Sequence, residues 1–303
     1  MLEVSVIIPT YNRSQSLHEV IGSYLSQASV REIIIVDDGS TEDYESVIRE
    51  ANLEAAKRGI KLVYLRNAKR QGAPAARNLG VQVATGDLIL FSDDDVFLDE
   101  SFLQIGIAKL IHLNADIIGG RIQPVGSVLD VSSAQMEDIP LGRVFDPLTV
   151  RGNWSVKTPR DLEVPFVSAV SLWRRWPFDK GVRFDEGYGG NGYREETSAQ
   201  ISAAKLGAII VFSSDLVAWH IGRKSGGQWR GGRLWWYYWA VRNNLRFLLK
   251  EYSFLRAKHR IAYPLLVVFI AFCIRQLAIF IPANFKTVLK RFIGSLLAGR
   301  NAS

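Results

Sequence analysis

A repeated couplet in the first hundred residues constrains this chain most. A short, apolar, β-branched run is followed each time by a polar cluster. Val4–Ile8 leads into Thr10–Arg13, Glu32–Val36 into Asp37-Asp38-Gly39-Ser40, and Asp87–Phe91 into Ser92-Asp93-Asp94-Asp95. Runs this continuous are buried on both faces, as in parallel strands covered by helices. The spacers have helical character from Ser14 or Ser16 to about Gln27, and over Thr41–Arg58, Ala73–Ala84 and Asp99–His112. Further strands are expected at Lys61–Leu65, Asp116–Gly119, Val164–Leu172 and Ala208–Phe212, with a helix at Glu195–Leu206 and a long excursion of loops over 125–165. The fold class is therefore α/β, a mostly parallel sheet flanked by helices. Ligands of such sheets bind beyond the carboxyl ends of the strands, so the three polar clusters are expected to meet in one crevice.

A length of 303 residues suits one such core plus a smaller appendage. The net charge of +7 hides an asymmetry. Residues 1–225 carry 24 Lys/Arg against 29 Asp/Glu, whereas residues 226–303 carry 13 Lys/Arg and one acid, Glu251. A mildly acidic body thus precedes a strongly basic tail, which suits an anionic partner. The single cysteine, Cys273, excludes a disulfide framework and a cysteine-based metal site. The N-terminus reads as a first strand without a basic and apolar leader, so the expected setting is cytoplasmic.

Three acids in a strand-end turn can direct alternate carboxylates at a hard cation such as Mg2+ or Mn2+. A solvated acidic turn is the plainer reading of Asp93-Asp94-Asp95, and its position after Leu88–Phe91 favours the metal. Asp37 and Asp38 can close an Asx-turn or accept hydrogen bonds from a nucleoside. Neither a G-x-G-x-x-G after the first strand nor a P-loop is present, which argues against a dinucleotide-binding unit and a P-loop nucleotidase.

Four segments, Val4-Ser-Val-Ile-Ile-Pro-Thr-Tyr-Asn-Arg13, Ile33-Ile-Ile-Val-Asp-Asp-Gly-Ser-Thr41, Gly72-Ala-Pro-Ala-Ala-Arg-Asn-Leu-Gly80 and Phe91-Ser-Asp-Asp-Asp95, resemble the successive signatures of family 2 glycosyltransferases in order and spacing. The resemblance implies a GT-A fold and an inverting, metal-dependent transfer from a UDP-, GDP- or dTDP-sugar. It implies a donor half over 1–124 and an acceptor half over 125–225. Pro9, Thr10 and Tyr11 would frame the base, with Arg13 beside them. Asp38 would read the base edge with Asp37 close by, and Arg77 would approach the nucleotide. Asp93 and Asp95 would form the metal-binding pair around Asp94, with Asp95 the more direct ligand and Mn2+ or Mg2+ as cofactor. Phe184-Asp-Glu-Gly187 followed by Arg194-Glu-Glu-Thr197 is similar to the family's acceptor-side element, leaving the base open between Glu196 and Glu195. His220 would reach the metal or diphosphate, and a lone structural histidine is the alternative reading. Arg223 and Lys224, among Gly222, Gly226 and Gly227, could close over the diphosphate.

Beyond residue 226 the chain turns basic and aromatic. Arg242, Arg246 and Lys250 recur on one helical face after Trp235-Trp-Tyr-Tyr-Trp239, a combination that suits a membrane interface. Leu265–Ile281 is apolar apart from Arg275 and Gln276, leaving open a short span or an in-plane position. Phe285 to Leu297 has the spacing of a basic amphipathic helix. The expected partners are thus a nucleotide-sugar donor, a glycan or lipid-linked acceptor and the inner face of the cell membrane, with a homodimer as the competing use of the apolar surface and no nucleic acid. A catalytically silent nucleotide-binding membrane scaffold is the alternative function.

Overall fold

The computed structural model describes residues 2–135, 138–223, 226–227 and 232–281. The elements run β1 (Val4–Thr10), α1 (Ser14–Leu25), β2 (Val30–Asp37), α2 (Glu45–Lys57), β3 (Lys61–Arg66), α3 (Ala73–Val83), β4 (Leu88–Phe91), β5 (Val96–Leu98), α4 (Phe102–His112) and β6 (Ile117–Pro124). They continue with α5 (Val131–Gln135), β7 (Phe145–Asp146), β8 (Arg151–Gly152), β9 (Leu162–Glu163), β10 (Ser171–Arg174), α6 (Trp176–Asp179), α7 (Glu195–Lys205), β11 (Ile210–His220), α8 (Gly232–His259) and α9 (Leu265–Phe280).

The main sheet has the order β3-β2-β1-β4-β10-β6-β11-β5, with β9 on β11. β1 pairs in parallel with β2 and β4, β2 with β3, and β6 with β11. β10 is antiparallel to both β4 and β6, so those two run in the same direction. β1, β2, β3, β4, β6 and β11 therefore end on one edge, and that edge receives Thr10, Asp37, Ser92–Asp95 and His220. The sequence periodicity carries this arrangement because Leu88–Phe91 and Ile33–Val36 are buried at every position. Phe91 meets Trp173, Phe178 and Phe184 edge-on at ring distances of 5.7, 5.6 and 4.8 Å. Truncating it to Ala would cost about 3–5 kcal/mol.

Several boundaries differ from expectation for identifiable reasons. α2 starts at Glu45 and not Thr41, because Asn12 Oδ1 accepts the backbone N–H groups of Thr41 and Glu42 and holds them in a turn. Residues 164–170 lie outside the sheet, and β10 begins only at Ser171. The Gln200 side chain accepts from the Val167 N–H at 2.6 Å and donates to the Val167 and Ser168 carbonyls, replacing a strand partner. β11 runs on to His220 because a register shift between Phe212 and Val217 carries it past Ser213–Asp215. Its last residues pair with the short β5, which the sequence pattern did not reveal. The 125–165 excursion holds α5 and the two-stranded ribbon β7–β8.

The change of composition at residue 226 is not a break in the core. Phe247, Leu248, Tyr252 and Leu255 of α8 and Val268 of α9 share one apolar cluster with Val150, Phe166, Tyr188 and Ile201 of the body. The basic stripe stays exposed but is partly engaged: Arg246 and Lys250 both hold Asp185, each at 3.0 Å, and Arg242 lies over Trp239. Among the described residues no helix is long and apolar enough to cross a membrane. α9 packs Val268, Phe272 and Gln276 inward and exposes Leu266, Ile270, Ile274 and Leu277. The amphipathic pattern at 285–297 and Lys224 lie outside the described residues.

Candidate active site

Pro9, Thr10, Tyr11, Arg13, Asp38, Asp93, Asp94, Asp95 and His220 line one crevice at the carboxyl edge of the sheet, joined by Arg70, Ala73 and Gly227. The first acid turn sits in its back wall. Asp37 is fully buried; its Oδ1 accepts from the Ser40 N–H and its Oδ2 from the Tyr64 hydroxyl. Expected beside the nucleotide, Asp37 instead lies behind the crevice and fixes the turn. Asp38 faces the crevice, and its carboxylate also accepts from Asn67 Nδ2 and from the backbone N–H groups of Gln71 and Gly72. Gly39, at φ +76°, lets this turn pass the 69–70 backbone, which a Cβ would approach to 2.8 Å.

The triple acid is held by an internal cation. Arg13 Nη1 donates to Asp94 Oδ1 at 3.0 Å and to Asp95 Oδ2 at 2.6 Å. The Arg13 N–H donates to Tyr44 Oη; Thr10 Oγ1 lies 2.8 Å from Tyr44 Oη and donates to Asp94 Oδ2 at 2.7 Å. With the Thr10 proton on Asp94, the Tyr44 hydroxyl donates to Thr10. Burial pushes Asp94 up to about 7 against the pull of Arg13. Burial acts on Asp95 in the same sense, but His220 and Arg13 outweigh it and hold that carboxyl below its ordinary value. His220 Nε2 lies 3.4 Å from Asp95 Oδ1, and this contact raises the imidazole pKa.

Asp93 also lines the crevice but is held by a different arginine. Its Oδ1 accepts from Arg77 Nη2 at 2.7 Å, and its side chain is 33% exposed. Arg77 is buried and its Nη1 holds Glu195 Oε1. It therefore stands behind Asp93, away from the crevice where it was expected to meet the nucleotide. Glu195 is buried too, whereas Glu196 is half-buried and lines a neighbouring cavity with Arg151, Trp154 and Tyr193. Burial raises the Glu196 pKa despite Arg77 and Arg194.

Two carboxylates and an imidazole are donors that a hard or borderline divalent cation accepts. Asp93, Asp95 and His220 are the residues that fit it by chemistry. As placed, Arg13 and His220 hold both oxygens of Asp95, and no group of three such donors is assembled among the described residues.

The crevice holds about 170 Å3, below the roughly 300–1,000 Å3 of ordinary ligand pockets. Arg70 lies 3.9 Å above the Tyr11 ring, and the Gly227 N–H donates to the Tyr11 carbonyl at 2.8 Å. Arg70 Nη2 donates in turn to the Gly227 carbonyl. The glycine segment thus rests on the turn that follows β1, from more than 200 residues away, while Arg223 holds Glu19. Arg70 was not foreseen as a site residue, its only pointer being its place two residues before Gly72, whereas Gly227 belongs to the glycine segment expected to close over the diphosphate and does line the crevice.

The family profile described as glycosyl transferase family 2 matches residues 5–153. The uncharacterized glycosyltransferase YwdF of Bacillus subtilis is 30% identical over 198 residues, covering 62% of this chain and 69% of YwdF. The chain belongs to glycosyltransferase family 2. The glycosyltransferase AglE of Haloferax volcanii is 28% identical over 123 residues, or 40% of this chain and 39% of AglE. The chain spans less than two thirds of the length of most curated relatives that it matches. In structure it is similar to residues 1–349 of Staphylococcus aureus TarS in complex with UDP-GlcNAc, with a TM-score of 0.57 and 17% identity over 92% of this chain and 81% of that one. That likeness establishes the GT-A fold for this family 2 member.

Proposed function

We propose that this glycosyltransferase is an inverting enzyme that moves one sugar from a nucleoside-diphosphate donor to a lipid-linked or cell-surface glycan acceptor at the cytoplasmic face of a membrane. The observation that carries the reading is the joint placement of Tyr11, Asp38, Asp93, Asp95 and His220 in one strand-end crevice beside Glu196. Tyr11 and Asp38 offer a ring face and a carboxylate to a nucleoside. The neighbouring TarS structures hold UDP and UDP-GlcNAc, which favours a UDP-sugar within the donor class.

Glu196 suits the general base better than Glu195. Its side chain reaches a cavity, and its raised pKa brings it closer to neutral pH, where a base is most effective. It would take the proton of the acceptor hydroxyl as that oxygen bonds to the anomeric carbon from the face opposite the departing diphosphate. Glu195, held by Arg77, would position Asp93 and the start of α7. Mn2+ or Mg2+ held by Asp93, Asp95 and His220 would offset charge on the diphosphate. The exposed apolar face of α9 and the remaining basic residues suit attachment in the plane of a bilayer.

The test is a panel of UDP-, GDP- and dTDP-sugars, with and without Mn2+, read by thermal shift and by release of nucleoside diphosphate. A metal-dependent shift with one donor and its turnover are expected. Binding without turnover under any condition would leave the silent scaffold as the function.

A further inference from the structure

A second cavity, of about 550 Å3, adjoins the donor crevice. His220 belongs to both. On its other side, Arg151 and Trp154 are shared with the cavity that Glu196 lines. The space therefore lies between the candidate leaving-group site and the candidate base, where an acceptor must sit. Its charge is distinctive. Arg143, Arg151 and Arg275 all face it, and none of them makes an ion pair among the described residues. Arg151 Nη1 is shielded from solvent and has no hydrogen-bond partner among the described residues. The one acid in the wall, Asp146, is turned to its own loop, accepting from the Leu148 N–H and the Thr149 hydroxyl. Three guanidinium groups stand against one carboxylate, Asp146, which lies across the β7–β8 ribbon from Arg151 without an ion pair among the described residues; this excess of positive charge makes a site for an anion with several oxygens, and guanidinium groups match phosphate geometry.

Arg275 adds the second half of the argument. It lies on α9, between the buried face of Val268, Phe272 and Gln276 and the exposed stripe of Leu266, Ile270, Ile274 and Leu277. The rim of a cationic cavity and an apolar surface are thus joined on one helix. We infer that this cavity is the acceptor subsite and that it takes the phosphate of a lipid-linked acceptor, whose hydrocarbon chain follows the exposed stripe of α9. The inference rests on the glycosyltransferase reading of the neighbouring crevice and narrows its acceptor to an amphiphile with an anionic head.

Calorimetric titration of the full chain with farnesyl phosphate, farnesol and inorganic phosphate tests both halves. Farnesyl phosphate is expected to bind at least about tenfold more tightly than either of the others, since each lacks one part of the recognition. Arg143→Gln combined with Arg275→Gln changes two exposed side chains and is expected to weaken farnesyl phosphate about tenfold or more, with the melting temperature confirming the fold. Ile270→Ser with Ile274→Ser is expected to weaken farnesyl phosphate and leave inorganic phosphate unchanged. Farnesol binding as tightly as farnesyl phosphate, or arginine variants binding like the parent, overturns the phosphate site. Inorganic phosphate binding as tightly as farnesyl phosphate overturns the lipid assignment. Absence of farnesyl phosphate binding overturns both. The same preparations are titrated with UDP-GlcNAc, GDP-mannose and dTDP-glucose: if a donor binds and farnesyl phosphate does not, the acceptor assignment alone fails, whereas failure of every donor removes the reading beneath it.

Discussion

Charge is handled in opposite ways on the two sides of His220. On the donor side nearly every buried group has an internal partner. Asp37 has Tyr64 and Ser40, Asp38 has the 71–72 backbone, and Asp94 and Asp95 share Arg13. On the proposed acceptor side Arg143, Arg151 and Arg275 outnumber the single acid of their cavity, Asp146, and neither they nor Glu196 form an ion pair among the described residues. The difference is instructive. A self-neutralised crevice keeps its shape without ligand and must rearrange to admit one. An unneutralised cavity leaves its charge available for a partner.

The largest effect should come from the base. Glu196→Gln is expected to lower transfer about 10²–10⁴-fold while donor affinity stays close to that of the parent, checked by kinetics and calorimetry. The pH profile sharpens the point. As a general base Glu196 would work ionised, so kcat/KM should rise as pH climbs through its raised pKa, and Glu196→Asp should keep an acid limb that Glu196→Gln loses. Should Glu195→Gln alone remove the limb, the assignment of the two glutamates reverses.

Next comes the donor-side charge network. Asp95→Ala removes a partner of both Arg13 and His220, and is expected to abolish the Mn2+-dependent thermal shift and lower transfer about 10²-fold or more. A retained shift would show that Asp95 does not hold the metal. A smaller effect is expected from the glycine segment on the turn that follows β1. Gly226 sits at φ +67°, and a Cβ there would come within 2.2 Å of the Asn12 carbonyl. Gly226→Ala should cost about 1–3 kcal/mol in denaturant unfolding and change donor affinity. Farnesyl phosphate binding should be unaffected, because the strain is confined to the donor side.

The smallest change concerns the clamp on α8. Burial raises Asp185, but the Gly187 N–H, Lys250 and Arg246 outweigh it and leave the carboxyl below its usual pKa. Its ionised form therefore favours the folded state: the stabilisation is complete above the unfolded value of about 3.9 and is lost as pH falls through the folded one. Because the pair is partly exposed, Asp185→Asn should cost no more than about 1 kcal/mol, or about 2–4 °C in melting temperature, and the deficit should vanish in acid.

The donor side was legible in the sequence because its signals are local. Parallel strands with continuous burial fix where Thr10, Asp38 and Asp93–Asp95 must emerge, and the same geometry brings His220 to them. The resemblance put Asp38 at the base edge with Asp37 close by, but it could not show that Tyr64 and the Ser40 N–H enclose Asp37 behind the crevice. Nor could it place Arg77, whose position depends on Glu195 lying 118 residues away. Arg70 and Gly227 meet through a hydrogen bond spanning 157 residues. The arginine cavity draws on an irregular loop, a two-residue strand and α9, which share no period, and the structure was needed to assemble it.

Arg194 carries a practical consequence. It stands immediately before α7 in a left-handed conformation at φ 77°, with its Nε on Asn244 Oδ1 at 2.9 Å and its guanidinium 4.7 Å from the Phe247 ring. Asn244 and Phe247 both belong to α8. Cutting the chain ahead of residue 232 to obtain a tail-less protein would strip Arg194 of these supports two residues from Glu196. Such a truncation would disturb the setting of Glu196 as well as remove the tail, and an inactive product would not by itself test the proposed attachment to a bilayer.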